Sequence, residues 1–145
     1  MFLNPQILKG NFMNLNFTLS ELIKSDVAKL HNIDNRPNLL ELDNLLNLIF
    51  HCLQPIRDKL GKPMIITSGY RCPKLNSHPK IKGSVNSNHL YGRAADFHVK
   101  GMTVQEVINF ILKLGIEFDE LGNEYDKWVH IAYRKGNNRK KIFKK

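Results

Sequence analysis

Apolar residues recur at helical spacing over one long stretch of the chain and crowd into short blocks elsewhere. Between Asn38 and Leu60, the residues Leu42, Leu45, Leu46, Ile49, Leu53, Ile56 and Leu60 fall on one face of a helix. Pro55 sits inside this stretch. It brings no N–H and its ring crowds the preceding turn, so a kink or one weakened turn is expected there. Gly61 provides the stop. The stripe reads as core and carries no chemistry. A second periodic stretch places Val104, Val107, Ile108, Ile111 and Leu112 on one face, between the capping box Thr103-Val-Gln-Glu106 and Gly115. Thr18-Leu-Ser-Glu21 is a further capping box and opens a shorter helix reaching about Leu30, before the turn residues Asp34-Asn-Arg-Pro37.

The shorter blocks read as strands. Met64 to Thr67 is a buried strand that feeds Ser68-Gly-Tyr-Arg71. A polar loop from Cys72 to Leu90 follows, then a strand over Arg93 to Val99. Phe118 to Leu121 and Trp128 to Tyr133 form two more, with Gly122-Asn123 expected in the connection. Helices first, then strands mixed with one helix, predict a single α+β domain whose central, mainly antiparallel sheet is flanked by helices. The expected division is an arm over residues 1–16, a body over 17–133 and a tail over 134–145.

Charge sharpens that division. The net charge is +9, yet seven of the 22 basic residues lie between Arg134 and Lys145 with no acid among them. The body is therefore close to neutral and the tail is strongly basic. Such a tail is expected to be a solvated, frayed terminus, with attraction to anionic polymers such as those of a cell wall. No basic helix with interleaved aromatics is present, which argues against specific nucleic-acid binding. The two cysteines, Cys52 and Cys72, form no CxxC pair and exclude a cysteine zinc site. The N-terminus lacks a charged start and a long apolar run, so no signal peptide or membrane span is expected. Synthesis in the cytoplasm, with delivery by another route if the target is the wall, is the corresponding expectation.

The candidate chemistry lies in Ser87-Asn-His89-Leu-Tyr-Gly92-Arg-Ala-Ala-Asp96. A histidine ends the polar loop, small residues follow, and an aspartate enters a strand. A second histidine, His130, lies within the apolar strand Trp128-Val-His-Ile-Ala-Tyr133. Two imidazoles and one carboxylate suit a catalytic zinc with a fourth position open to water. His31, His51, His78 and His98 are weaker candidates. A carboxylate must also take a proton from that water. The acids just before His130 are Glu120, Glu124 and Asp126.

SGYR at 68–71, SNHLYGRAAD at 87–96 and WVHIAY at 128–133 together resemble the M15 family of zinc peptidases. That family includes D-alanyl-D-alanine carboxypeptidases and phage endolysin peptidases and is related in fold to the Hedgehog signalling domain. Its motif Ser-x-His-x-x-Gly-x-Ala-x-Asp is met at Ser87, His89, Gly92, Ala94 and Asp96. Residues 17–38 are also similar to the segment that precedes the domain in phage-encoded members. The resemblance implies a Zn2+ cofactor held by His89, Asp96 and His130, and peptidoglycan stem peptides as substrate. It implies that Arg71 holds the substrate and the developing oxyanion, with Tyr70, Ser87 and Trp128 as further substrate contacts. Many relatives carry Glu three residues before the last histidine. That position is Lys127 here, so the base falls to Glu124, which fits the phage-type spacing, or to Asp126. The alternative is a catalytically degenerate peptidoglycan-binding or phage structural module.

Overall fold

The computed structural model describes residues 15–145, so all but the last two residues of the expected arm lie outside the described residues. The first helical stretch divides into α1 (Leu19–Ile23) and α2 (Asp26–Leu30). Two caps cause the division. Thr18 and Glu21 close a capping box on α1, and the Ser25 hydroxyl accepts from Ala28 N–H to start α2.

The long apolar stripe forms α3 (Leu39–Leu48) and α4 (Gln54–Leu60), joined without a break by a π-helical turn over Ile49–Leu53. In that turn Gln54 N–H reaches back to the Ile49 carbonyl. The wider turn stands immediately before Pro55, where an α-helix would press the ring onto the previous turn. Leu48 and Cys52 are fully buried alongside Leu45, Leu53 and Ile56, whereas Leu42 and Leu46 are only half-buried. The Cys52 thiol donates to the Glu117 carbonyl, and both cysteines are free.

The strands are β1 (Met64–Ser68), β2 (Ala94–Val99), β3 (Glu120–Glu124), β4 (Trp128–Ala132) and β5 (Lys141–Lys144). They form one sheet in the order β1-β2-β4-β3-β5, antiparallel except where β5 runs parallel to β3. Alternation along each strand gives the sheet two different faces. Ala95, Phe97, Val99, Leu121, Val129 and Ile131 join α3, α4 and the helix α5 (Val104–Leu114) in the main core. The intervening residues face a cleft on the other side.

Two sequence expectations are corrected here. Gly122-Asn123 lies within β3, and the hairpin turns instead at Tyr125-Asp126, whose φ values of +61° and +54° suit a tight turn between twisted strands. Glycine at 122 makes room for the Phe143 ring, whose tip would lie 2.2 Å from a Cβ there and would have to move aside. Second, residues 134–145 are not a frayed tail. They supply β5, and Lys141 N–H donates to the Asp119 carbonyl at its start.

The polar loop after β1 is held by a small separate core in which Ala28, Ile33 and Leu75 pack together with Val27, Cys72 and Ile81. Within the loop are a helical turn at Pro73–Asn76 and a 3-10 turn at Asn88–Tyr91. The loop closes on α1 at Gly69, where a Cβ would meet the Leu22 carbonyl oxygen at 2.1 Å and where Tyr70 N–H donates to that same oxygen at 2.7 Å. Both atoms in the close approach are backbone, so neither can swing aside. Gly69→Ala is therefore expected to destabilise the protein by about 1–3 kcal/mol, as overpacking does. A lowered urea midpoint would register this, and an unchanged midpoint would contradict the close approach.

Candidate metal centre

One row of register partners crosses the sheet. Ser68 on β1 pairs with Asp96 on β2, Asp96 with His130 on β4, His130 with Gly122 on β3, and Gly122 with Phe143 on β5. Pairing alone therefore sets Asp96 and His130 side by side on the cleft face. His89 arrives from the 3-10 turn, whose start is capped by the Ser87 hydroxyl accepting from His89 N–H at 3.2 Å.

The three side chains are buried and converge. His89 Nε2 lies 3.3 Å and His130 Nδ1 3.0 Å from the same oxygen, Asp96 Oδ1. One ligand atom from each of the three falls within 4.8 Å of the others. His89 Nδ1 is engaged separately, donating to the Gly69 carbonyl at 2.7 Å. That bond leaves the Nε2 lone pair free to face the cluster.

Charge follows the geometry. Burial opposes ionisation of Asp96, but the two imidazoles beside it hold its carboxyl well below the usual range. Burial likewise opposes the charged form of His130, yet hydrogen bonds to Asp96 and Glu120 raise its pKa to about 9. Glu120 is lowered to about 2, chiefly by its 3.0 Å hydrogen bond with His130 Nε2.

Around this cluster is a cleft of about 590 Å³. Arg71, Ser87, Glu124 and Trp128 line it. Arg71 lies among neutral partners, donating to Asn76 Oδ1 at 3.1 Å and to Ser68 Oγ at 3.2 Å. Its burial lowers its pKa, against the attraction of Asp96 and Glu124. Glu124 Oε2 accepts from the Trp128 indole at 2.8 Å, and its Oε1 lies 3.5 Å from Lys145 Nζ.

Two other candidates fall elsewhere. Asp126 is exposed in the hairpin turn, bonded to Asn123 and paired with Lys144, outside the residues that line the cleft. Tyr70 is buried in the main core and does not line the cleft.

The structure joins Glu120 to residues that had no role assigned from the sequence. Asn88 Nδ2 donates to Asp119 Oδ2 and Glu120 Oε1, and Arg139 pairs with both of these acids. Glu120 had a usable signal: it is two residues from Gly122 on β3, so it must share the cleft face once the hairpin turn is placed at 125–126. Arg139 had none, because its partners are set by the position of β5.

A family model described as Peptidase M15 matches residues 15–132. No curated protein matches the chain.

The two sides of the His130–Glu120 contact fix a stability window for the metal-free protein. His130 is raised from 6.5 to about 9, so its contribution is complete below pH 6.5 and is lost as pH rises through 9. Glu120 is lowered from 4.5 to about 2, so its contribution is complete above pH 4.5 and is lost as pH falls through 2. After chelation, Tm should be highest between about pH 4.5 and 6.5 and decline towards 9. A Tm that climbs steadily over that upper range would contradict the charged arrangement.

Proposed function

The chain belongs to the Peptidase M15 family, and we propose on that premise that it is a zinc-dependent peptidase acting on peptidoglycan stem peptides, as a D,D-carboxypeptidase or an endopeptidase. The convergence of His89, Asp96 and His130 carries the reading. A buried set of two imidazoles and one carboxylate, open on one side to a cleft, fits a catalytic zinc. His89 Nε2, Asp96 Oδ1 and His130 Nδ1 are the atoms that would hold it. Bound there, zinc would supply a Lewis acid and lower the pKa of a water to about 7.

The chain's own residues account for the remaining steps. Glu124 is the carboxylate placed to take a proton, since it is half-buried in the cleft and oriented by the Trp128 indole. Asp126 is not so placed. Arg71, with its charge partly desolvated and neutral neighbours fixing its plane, is suited to face the carbonyl oxygen as negative charge develops. Glu124 then delivers its proton to the departing amine. Ser87 and Trp128 form the walls against which a stem peptide would lie. Anionic wall polymers would meet Lys141, Lys144 and Lys145, which border the same cleft.

Glu124→Gln should reduce turnover of stem peptides by about 100- to 10,000-fold while zinc is retained, and Asp126→Asn should leave turnover unchanged. Release of new amine groups from purified walls measures both. Normal turnover by the Glu124 variant would remove the base assignment, whereas stem-peptide binding without cleavage by the zinc-loaded wild type would favour the binding module. Replacing Lys141 and Lys144 by Gln should weaken wall binding at low salt and little at high salt. Equal binding at both would reject the electrostatic contribution.

A further inference from the structure

Glu120 is braced at both carboxylate oxygens. Oε1 accepts from His130 Nε2 at 3.0 Å and from Asn88 Nδ2 at 2.8 Å. Oε2 lies 3.2 Å from Arg139 Nη2. One side chain therefore ties together both histidine-bearing elements, β4 through His130 and the 3-10 turn through the residue preceding His89. Arg139 is itself fixed. Its guanidinium makes a two-point contact with Asp119, Nε to Oδ1 at 3.0 Å and Nη2 to Oδ2 at 2.8 Å, and its backbone N–H donates to Oδ1 as well. The Asp119 side chain is fully buried, so this anchor has little freedom. Phe143 closes the arrangement from above, with its ring 5.6 Å from the His130 ring and packed over Gly122.

We propose that Glu120 and Arg139 are positioning residues for His130, so that the C-terminal segment beyond the family-matched region is a working part of the metal site. Glu120 accepts the Nε2 proton of His130. Once a metal ion displaces the proton that Nδ1 shares with Asp96, the lone pair is thereby placed on Nδ1, the nitrogen beside Asp96 and His89. Arg139 keeps Glu120 in that position. Glu120 is not the proton acceptor of the reaction, because its Oε1 is committed to the imidazole nitrogen remote from Asp96. The inference rests on the zinc reading given above but concerns residues that reading does not use.

The test is the zinc dissociation constant, measured by competition with a chromophoric chelator, together with the His130 Nε2–H signal in the 15N spectrum of the zinc-loaded protein. Glu120→Ala should weaken zinc binding by about 10- to 100-fold and expose that proton to fast exchange. Glu120→Gln, nearly the same shape and still offering an acceptor oxygen, should recover part of the affinity. It also keeps the comparison valid if the alanine variant folds poorly. Arg139→Gln should weaken binding in the same direction. Lys140→Gln, which alters only an exposed pair with Glu117, should not. Wild-type affinity in the Glu120→Ala and Arg139→Gln proteins would overturn the proposal and leave the zinc reading intact. Lost turnover with undiminished zinc affinity in Glu120→Ala would overturn it too, making Glu120 catalytic. A wild-type protein that binds no zinc would defeat both readings.

Discussion

A single carboxylate oxygen, Asp96 Oδ1, lies between two imidazoles in the interior of the molecule. An isolated carboxylate could not remain charged there, since the loss of hydration far exceeds what a protein can tolerate. The hydrogen bond from His130 Nδ1 eases that difficulty in the metal-free state, and a divalent ion would do so when bound. The contact depends in turn on the sheet register. Asp96 and His130 are direct partners across β2 and β4, and a slip of either strand by one residue would turn its ligand side chain towards the apolar core. Register is thus held from the opposite face by Phe97, Val129 and Ile131, which cannot be exposed without a large loss of buried area.

The sheet serves as a partition. Helices α3, α4 and α5 fill one side and supply the stability, while the other side is left to polar residues. The third element of the cluster, the 3-10 turn that carries His89, is not in the sheet at all. It is brought in by a loop with its own small core, and by Gly69, whose carbonyl directs the His89 ring and whose missing side chain lets the loop lie against α1. Interactions that look purely structural, such as Tyr70 N–H to Leu22 O, therefore lie one step from the chemistry.

The sequence made the central cluster legible because its residues stand in local patterns. His89 and Asp96 share one segment with small residues between them, and His130 is out of place in an apolar strand. The long helix was legible for the same reason, although Leu48 is fully buried and Leu42 and Leu46 only half-buried. What periodicity could not supply was long-range placement. Gly122-Asn123 has the composition of a turn, yet it lies mid-strand, where the Phe143 ring from a strand distant in sequence packs over the glycine. The basic residues after Arg134 have the composition of a solvated tail. Arg139 finds a buried partner in Asp119, and that pairing seats the segment as β5. Asp126 and Glu124 could not be separated while the hairpin turn was placed three residues too early. Once Tyr125-Asp126 turns the chain, the two acids point to different surroundings.

The seating of β5 also settles how the sheet terminates. Any open strand edge offers unpaired backbone groups on which another polypeptide can extend the sheet. Without β5 that edge would be β3, lying directly beside β4 and His130. With β5 added, the outermost strand is only Lys141–Lys144, with lysines at both ends and Lys145 following, a short and mutually repelling template. At the opposite border, β1 is preceded by Pro63 and loses regular pairing between Ile66 and Ser68. Both margins thus resist aggregation by strand addition, and the same lysines that border the cleft help to keep neighbouring molecules apart at high concentration.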